Sequence, residues 1–331
     1  MKVKLAVKSS IYIYILALLH SVGELRAQDP QFSQYYANPI YTNPAFAGGS
    51  YVGRAVLNYR SQWPSISGTF RTFSASYDEH YDAINGGIGF IATADEAGVG
   101  TLQTYSFSGM YAYQISLTKD ITMRLGIEGG VFQKTIDFGK LTFADQIRKQ
   151  QGIYKATDEE PLNNVIFYPN FSAGGVVYSN NFYGGFAIHN LTTPNQGFYK
   201  SSASKIPMRY TAHGGLVLPV KPHRDPKKAS YLYPNVLYMQ QGSTRQLNLG
   251  LYYNEGPLVF GSYFRQTKEN PDAFIFLLGI RTPKLKIGFS YDATISQARP
   301  GARQSYEVSL SFELKKKVRS KKVRSIRCPE F

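Results

Sequence analysis

Few residues of this chain have the type and spacing that chemistry at a site requires. The histidines that follow residue 28 are His80, His189, His213 and His223, and none of them lies in an H-E-x-x-H pattern or another spacing typical of a metal site. No G-x-S-x-G nucleophile motif occurs. Asp78 and His80 share a strand face and could act together in catalysis, but a polar rim or turn is the favoured interpretation. The sequence therefore predicts no catalytic residue and no metal ligand, and the protein is not expected to be an enzyme.

One glycine-rich segment resembles a cofactor-binding motif, but the structure predicted around it does not fit that motif. Gly87, Gly89 and Ala92 superficially match a dinucleotide-binding fingerprint, but that motif needs a strand before it and a helix after it. Here it lies inside an alternating segment, where small residues permit close packing or curvature. Cys328 has no second cysteine with which to form an internal disulfide. No cofactor is predicted.

Strictly alternating segments dominate the chain. Apolar and polar side chains alternate in residues 104–116, TYSFSGMYAYQIS, and again in residues 121–131. Successive side chains of a strand point to opposite faces, so each such segment has one apolar and one polar face. Lipid outside and a polar lumen inside explain this pattern in an exported chain, although a soluble β-sandwich has a similar strand spacing. The predicted fold is all-β, a transmembrane antiparallel β-barrel of about fourteen strands, within a range of roughly twelve to sixteen.

Composition and charge divide the chain into four parts. Residues 1–27 have the basic start and short apolar core of a cleaved signal peptide, with a retained membrane anchor as the alternative. Residues 28–50 contain Pro30, Pro39 and Pro44, and are expected to be irregular, at the periplasmic end of the barrel or in its lumen. Residues 51–314 form the barrel, and residues 315–331 a basic periplasmic tail.

The connections between the strands indicate how the barrel is oriented. Those on one side are mostly tight, and the long ones, 136–166, 191–206 and 293–302, fall on the other. Short periplasmic turns and longer outer loops are typical of barrels in the bacterial outer membrane. The sequence therefore predicts an integral outer-membrane protein with both termini in the periplasm. Export and the lack of aromatics among the tail's basic residues argue against a nucleic-acid partner.

The segment 28–48, reading QDPQFSQYYANPIYTNPAFAG, closely resembles the start of mature PorP/SprF-family proteins, which are outer-membrane proteins of the type IX secretion and gliding apparatus of Bacteroidetes. The resemblance continues in residues 59–63, 86–89, 95–98 and 327–331, where Glu330 stands in place of the family's more usual arginine. It implies a barrel that helps to secrete particular cargo proteins, such as adhesins, or anchors them at the cell surface. It also implies type IX secretion components, or periplasmic components linked to the cell wall, as further partners.

Three functions remain open at this stage. The first is a non-enzymatic barrel that helps to secrete or anchors a surface protein and contacts outer-membrane lipid. The second is a diffusion channel or transporter for a small solute. Five polar residues predicted to face the lumen would be suitable for it: Arg124, Glu128, Asn248, Lys284 and Lys286. The third is a lipid-modifying barrel enzyme, which lacks a recognisable nucleophile and base. The cargo, the loops that contact it and the openness of the lumen do not follow from the sequence.

Overall fold

The structure, a computed structural model, describes residues 29–50, 52–66, 68–98, 101–148, 152–153, 163–199, 204–221, 229–268, 270–296 and 303–314. The predicted signal peptide, residues 1–27, and the predicted basic tail, residues 315–331, lie outside the described residues.

Fourteen antiparallel strands in the described part of the chain form a closed barrel. Closure is made by β1, whose Tyr59 lies opposite Phe73 of β2 on one side and opposite Val308 of β14 on the other. This confirms the predicted transmembrane barrel. The strands are β1 (Arg54–Gln62), β2 (Phe70–Tyr81), β3 (Gly86–Ala97), β4 (Leu102–Ser116), β5 (Thr122–Ile136), β6 (Val165–Tyr178), β7 (Phe182–His189), β8 (Arg209–Leu216 continued by Leu218–Lys221), β9 (Ser230–Gln241), β10 (Thr244–Glu255), β11 (Leu258–Thr267), β12 (Pro271–Arg281), β13 (Leu285–Thr294) and β14 (Gln304–Glu313).

Alternation places apolar side chains on the outside of the barrel. On β5, Leu125, Ile127 and Val131 are 49%, 63% and 61% exposed, whereas Thr122 and Arg124 are buried in the lumen. An apolar exposed surface of this kind around a whole barrel matches the hydrocarbon of a bilayer. The outward face predicted from the sequence for this strand is therefore the face that meets lipid.

The two ends of the barrel differ in their connections. The short-turn end carries tight links such as 82–85, 179–181 and 256–257, and the long-loop end carries links 137–164 and 190–208. The long-loop end also has three tight links, after β3, β9 and β11, so the predicted asymmetry holds for the longest connections only.

Helical structure is limited to single turns. A turn of α-helix spans Pro39–Thr42, and 3-10 turns span Pro44–Phe46, Asp82–Ile84, Phe138–Lys140 and Ala144–Gln146. Within the part of the chain that the structure describes, none of these has the length and apolar character needed to cross a membrane. A two-stranded ribbon, Ile147–Arg148 with Gly152–Ile153, lies in the link between β5 and β6.

The core of the barrel is formed around residues 29–50, which lie inside the lumen and are called the plug here. Tyr35 and Tyr36 of the plug pack against the inner wall, and the Tyr36 and Tyr252 ring centroids are 4.3 Å apart. Farther along the plug, Ile40 and Phe46 belong to a second buried cluster with neighbouring wall residues. Aromatic rings that pack edge to face add to the stability that burial itself supplies.

The plug explains why one strand departs from the alternating pattern. On β12 the lumen-facing Ile275 and Leu277 are as apolar as the outward-facing Phe276 and Leu278. The two lumen-facing side chains pack in the cluster that contains Tyr35 and Tyr36, so they meet protein and not water.

The outward face can be tested at the centre of β12. Phe276→Arg is expected to lower the free energy of unfolding by about 2–4 kcal/mol, because an arginine near the middle of the bilayer loses hydration. The measurement is a urea titration in lipid vesicles, followed by the heat-dependent electrophoretic mobility of the folded barrel. Leu258→Arg, at the short-turn end of β11, is the control and should cost about 0–1 kcal/mol. Equal costs at the two positions would contradict this assignment of the membrane midplane.

Candidate functional site

The plug runs through the lumen from one end towards the other. Its first described residue, Asp29, accepts a hydrogen bond from the Asn190 amide at 2.8 Å, and its N–H donates to Gln241, which ends β9 at the long-loop end. At its other end, Gly48 lies against Gly87, the second residue of β3, at the short-turn end. The plug therefore follows the lumen axis before the chain enters β1.

A buried ion cluster fixes the middle of the plug to the wall. Glu307 accepts hydrogen bonds from the backbone N–H groups of Ser33 and Gln34, at 2.7 and 3.1 Å. The Arg60 guanidinium donates to Glu307 at 3.2 Å and to Asp292 at 3.0 Å. The Ser33 hydroxyl donates to Asp292 at 2.6 Å. These charges are almost fully buried, so each depends on the others for the hydrogen bonds that water would supply.

The same cluster lies at the seam that closes the barrel. Arg60 of β1 and Glu307 of β14 are direct cross-strand partners. Arg265 of β11, two strands along the same wall from β13, joins the cluster, and its guanidinium donates to Asp292 at 3.0 Å. Strand closure and plug binding thus share one set of charges.

The Gln34 side chain, which is fully buried, uses both ends of its amide. Its nitrogen donates to the Ser290 hydroxyl at 3.1 Å and to the Glu307 carbonyl oxygen at 3.0 Å. Its oxygen accepts from the Ser309 hydroxyl at 2.6 Å. Small hydroxyl side chains on the two neighbouring strands leave room for the amide and supply its partners.

A second set of contacts holds the far half of the plug by close backbone approach. A Cβ atom added to Gly126 would be 2.3 Å from the Ala45 nitrogen, and one added to Gly87 would be 2.3 Å from the Ala47 carbonyl oxygen. Arg124 donates to the carbonyl oxygens of Gly48, at 2.9 Å, and of Ala47. Glycine is needed at these wall positions because any side chain would occupy the space of the plug backbone.

The residues that sequence analysis considered for catalysis also contact the plug or its surroundings. Asp78 accepts from the Gly48 N–H at 2.9 Å and forms an ion pair with Arg54, while His80 lies 3.2 Å from Asp82. The ring of His213 is 3.1 Å from the Asn43 amide, and the ring of His189 is 3.1 Å from the Thr42 carbonyl oxygen. Among the described residues no group of three or more His, Cys, Asp or Glu is placed to hold a metal ion.

An open cavity of about 780 Å³ remains on the long-loop side of the plug, and we call it the vestibule. Asp29, Pro30, Gln31 and Tyr41 line it from the plug side. The Tyr41 hydroxyl donates to the Pro30 carbonyl oxygen at 2.5 Å.

Described residues of the two longest links contact each other at the long-loop end, and one of these links reaches the vestibule. Gln196 of the 190–208 link is buried and accepts a hydrogen bond from the Lys134 ammonium at 2.5 Å. Phe138 of the 137–164 link packs edge-on against Phe198 and Tyr199, with ring centroids about 6 Å apart. The two links therefore pack against each other at the long-loop end, and Gln196 of one of them points into the lumen.

Sequence reasoning did not identify the residues that hold the plug. Asp292 and Glu307 lie on polar strand faces, but every barrel lumen is polar, so nothing in the pattern marked them as partners of Ser33 and Gln34. The glycines carried a signal: Gly87 lies in a strand with several glycines, and such positions often mark a close approach of another backbone.

These features define a class of protein, a membrane β-barrel whose lumen is partly occupied by residues 29–50 of its own chain. The chain belongs to the family described as type IX secretion system membrane protein PorP/SprF, whose sequence profile matches residues 24–312. The resemblance recognised in the sequence is thereby confirmed, as is its implication of a membrane protein of that secretion system.

Solved structures with the same kind of fold are distant in sequence. The toluene transporter TbuX of Ralstonia pickettii is 8% identical, with a TM-score of 0.50, over 83% of this chain and 93% of that one. The outer membrane protein Omp33 of Acinetobacter baumannii is 9% identical, with a TM-score of 0.46, over 81% of this chain and all of that one. At such low identity, the likeness to TbuX shows the barrel fold alone. No curated protein matches the sequence.

The ion cluster predicts a large effect of one substitution. Arg60→Met is expected to lower the free energy of unfolding by about 3–5 kcal/mol, because Glu307 would remain buried without a cation and Asp292 would keep only Arg265. The measurement is denaturant unfolding of the purified barrel in detergent. Lys221→Met is the control. It removes an ion pair with Glu255 in which both side chains are exposed, so no measurable change in the free energy of unfolding is expected. An Arg60→Met protein as stable as the parent would mean that the cluster does not stabilise the fold.

The close approach at Gly126 predicts that the plug can be displaced without loss of the barrel. Gly126→Val should expel residues around Ala45, raise ion conductance in planar bilayers and expose the plug to protease. Gly109→Val is the matched control, because a Cβ there meets only the Phe90 ring, at 3.7 Å. Folding of both variants is checked by heat-dependent electrophoretic mobility. A folded Gly126→Val barrel with a protected plug and unchanged conductance would contradict the prediction.

Proposed function

We propose that this protein is a non-enzymatic outer-membrane component of the type IX secretion system that helps to secrete, or anchors, a surface protein cargo such as an adhesin. The family assignment supports a role in that system. The plug favours a protein that holds a partner over one that conducts solutes. A diffusion channel needs a continuous aqueous path. Here the lumen is occupied by residues 29–50, which are joined to the wall by buried charges and close backbone contacts.

The cargo would contact the long-loop end. Loops carry recognition more often than the strands that support them, and this end presents the inward-folded 190–208 link and the Phe138 aromatic cluster beside it. In the outer membrane such loops face the outside of the cell. The short-turn end, where β14 finishes, would then face the periplasm, and the basic tail could meet periplasmic or cell-wall-linked components there.

The sequence predicted an amino terminus in the periplasm, and this proposal places it elsewhere. Asp29 lies on the long-loop side of the plug, whereas the end of β14 lies at the short-turn end, where the Leu314 N–H donates to Gly53. If the signal peptide is removed after residue 27, Asp29 becomes the second residue of the mature chain, and it lies inside the lumen.

A channel is the alternative function, and the vestibule is the observation that favours it. The cavity opens at the long-loop end and is large enough for a small solute, and the barrel of TbuX, described as a toluene transporter, has a similar fold. Conduction in this protein would require the plug to move.

Gentle detergent extraction of the protein from its own outer membrane, followed by mass spectrometry of bound proteins, tests the proposal. A large secreted protein or secretion-system subunits should co-purify. Phe138→Asp, at the long-loop end, should reduce the cargo recovered, whereas Ile84→Asp, in the tight link 82–85 at the other end, should not. A barrel recovered alone after crosslinking, together with steady conductance of the parent protein, would overturn the proposal in favour of the channel.

A further inference from the structure

The vestibule wall carries a cation and an anion that are close to each other without being paired. Lys134 of β5 and Asp95 of β3 lie opposite the same residue of the strand between them, Thr104 of β4. All three line the vestibule. Adjacent strands are about 4.8 Å apart, so the Cα atoms of Lys134 and Asp95 are roughly 10 Å apart along one row of the wall.

Each of the two charges is held by a neutral partner. The Lys134 ammonium donates to the Gln196 amide oxygen at 2.5 Å, and the Thr72 hydroxyl donates to the Asp95 carboxylate at 2.7 Å. Within the described residues neither charge belongs to an ion pair. Lys134 is only 8% exposed, so its charge has lost much of its hydration without gaining a counter-ion at contact distance, although Asp29 and Asp95 attract it from farther away.

Most other charged groups that line the vestibule are already engaged with one another. Arg209 lies 3.4 Å from Asp29, and Arg265 lies 3.4 Å from Asp272. Glu128, deeper on β5, is 3.9 Å from the His189 ring, a contact that is an ion pair only when the ring is protonated. Lys134 and Asp95 differ from the paired groups, because among the described residues neither has an opposite charge at contact distance.

The wall around these two charges has a matching surface for an organic ligand. The rings of Phe132 and Tyr168 stack with centroids 5.5 Å apart, and both side chains line the vestibule, with Phe132 two residues before Lys134 on the same strand face. On the Asp95 side, Thr93 and Ser106 share a hydrogen bond of 2.5 Å between their hydroxyl groups. The wall thus offers an ammonium, an aromatic surface, hydroxyl groups and a carboxylate.

We propose that the vestibule is a binding site for short peptides with both termini free. The peptide carboxylate would bind at Lys134 and the peptide ammonium at Asp95, so that one ligand brings an opposite charge into contact with each of them. An extended chain advances about 3.3–3.6 Å per residue, so two or three residues cover a row of this length. The volume of 780 Å³ also lies in the usual range for ligand pockets.

The plug makes this a site for binding and not a route for passage. Residues of the plug line the bottom of the vestibule, and a ligand enters and leaves through the long-loop mouth. A long polypeptide would not satisfy both charges in the same way, because its two termini do not lie next to each other in one strand. The site is therefore distinct from cargo anchoring and does not rest on it.

Titration calorimetry of the full-length protein in detergent, with trialanine as the probe, tests the site. Trialanine should bind, and both N-acetyl-trialanine and trialanine amide should bind at least tenfold more weakly. Equal affinity for the three peptides, or no heat of binding at millimolar trialanine, would overturn the proposal.

Two substitutions assign the ends of the peptide separately. Lys134→Met should abolish the discrimination against trialanine amide and keep the discrimination against the acetylated peptide, and Asp95→Asn should do the reverse. Lys119→Met and Asp120→Asn, in the tight link at the short-turn end, are matched controls that should leave all three affinities unchanged. If each vestibule variant weakened the three peptides by the same factor, the two residues would be structural and the proposed contacts would be wrong.

Discussion

The structure depends most on the buried ion cluster of Arg60, Asp292 and Glu307. Ser33 and Glu307 are 274 positions apart in the chain, and the backbone N–H of one binds the carboxylate of the other. Arg60 and Glu307 are also cross-strand partners where β1 meets β14. Carboxylates inside a membrane barrel need partners, because bulk water is excluded from them. The closed barrel and the inserted plug therefore satisfy the same charges.

This arrangement also restricts the register at which the barrel can close. Side chains of a strand alternate between faces, so a slip of one residue between β1 and β14 would move Glu307 from the lumen to the lipid. The cost of an unpaired carboxylate in hydrocarbon opposes such a slip far more strongly than a lost apolar contact would. The plug also favours this register, because the N–H groups of Ser33 and Gln34 reach Glu307 only when that carboxylate lies at its present height in the lumen.

The plug changes what the lumen can do. A polar interior is ordinary for a barrel of this size, but here Tyr35, Tyr36 and Phe46 occupy it and meet apolar wall residues such as Ile275. What remains is a vestibule that opens at the long-loop end and is lined at its bottom by the plug. A solute could pass through a barrel of this form only if the plug moved.

The sequence by itself determined the barrel. Strand alternation, about the right number of strands, the outward side chains of β5 and the family could all be read from it, because a period of two residues and a lipid-facing side are local properties. Only the tertiary structure decided that residues 29–50 traverse the lumen, that β12 is apolar on both faces, and that Lys134 and Asp95 lie in one row. Those features depend on contacts between residues far apart in the chain, and a polar lumen face looks the same in sequence whether it meets water, a plug or a ligand.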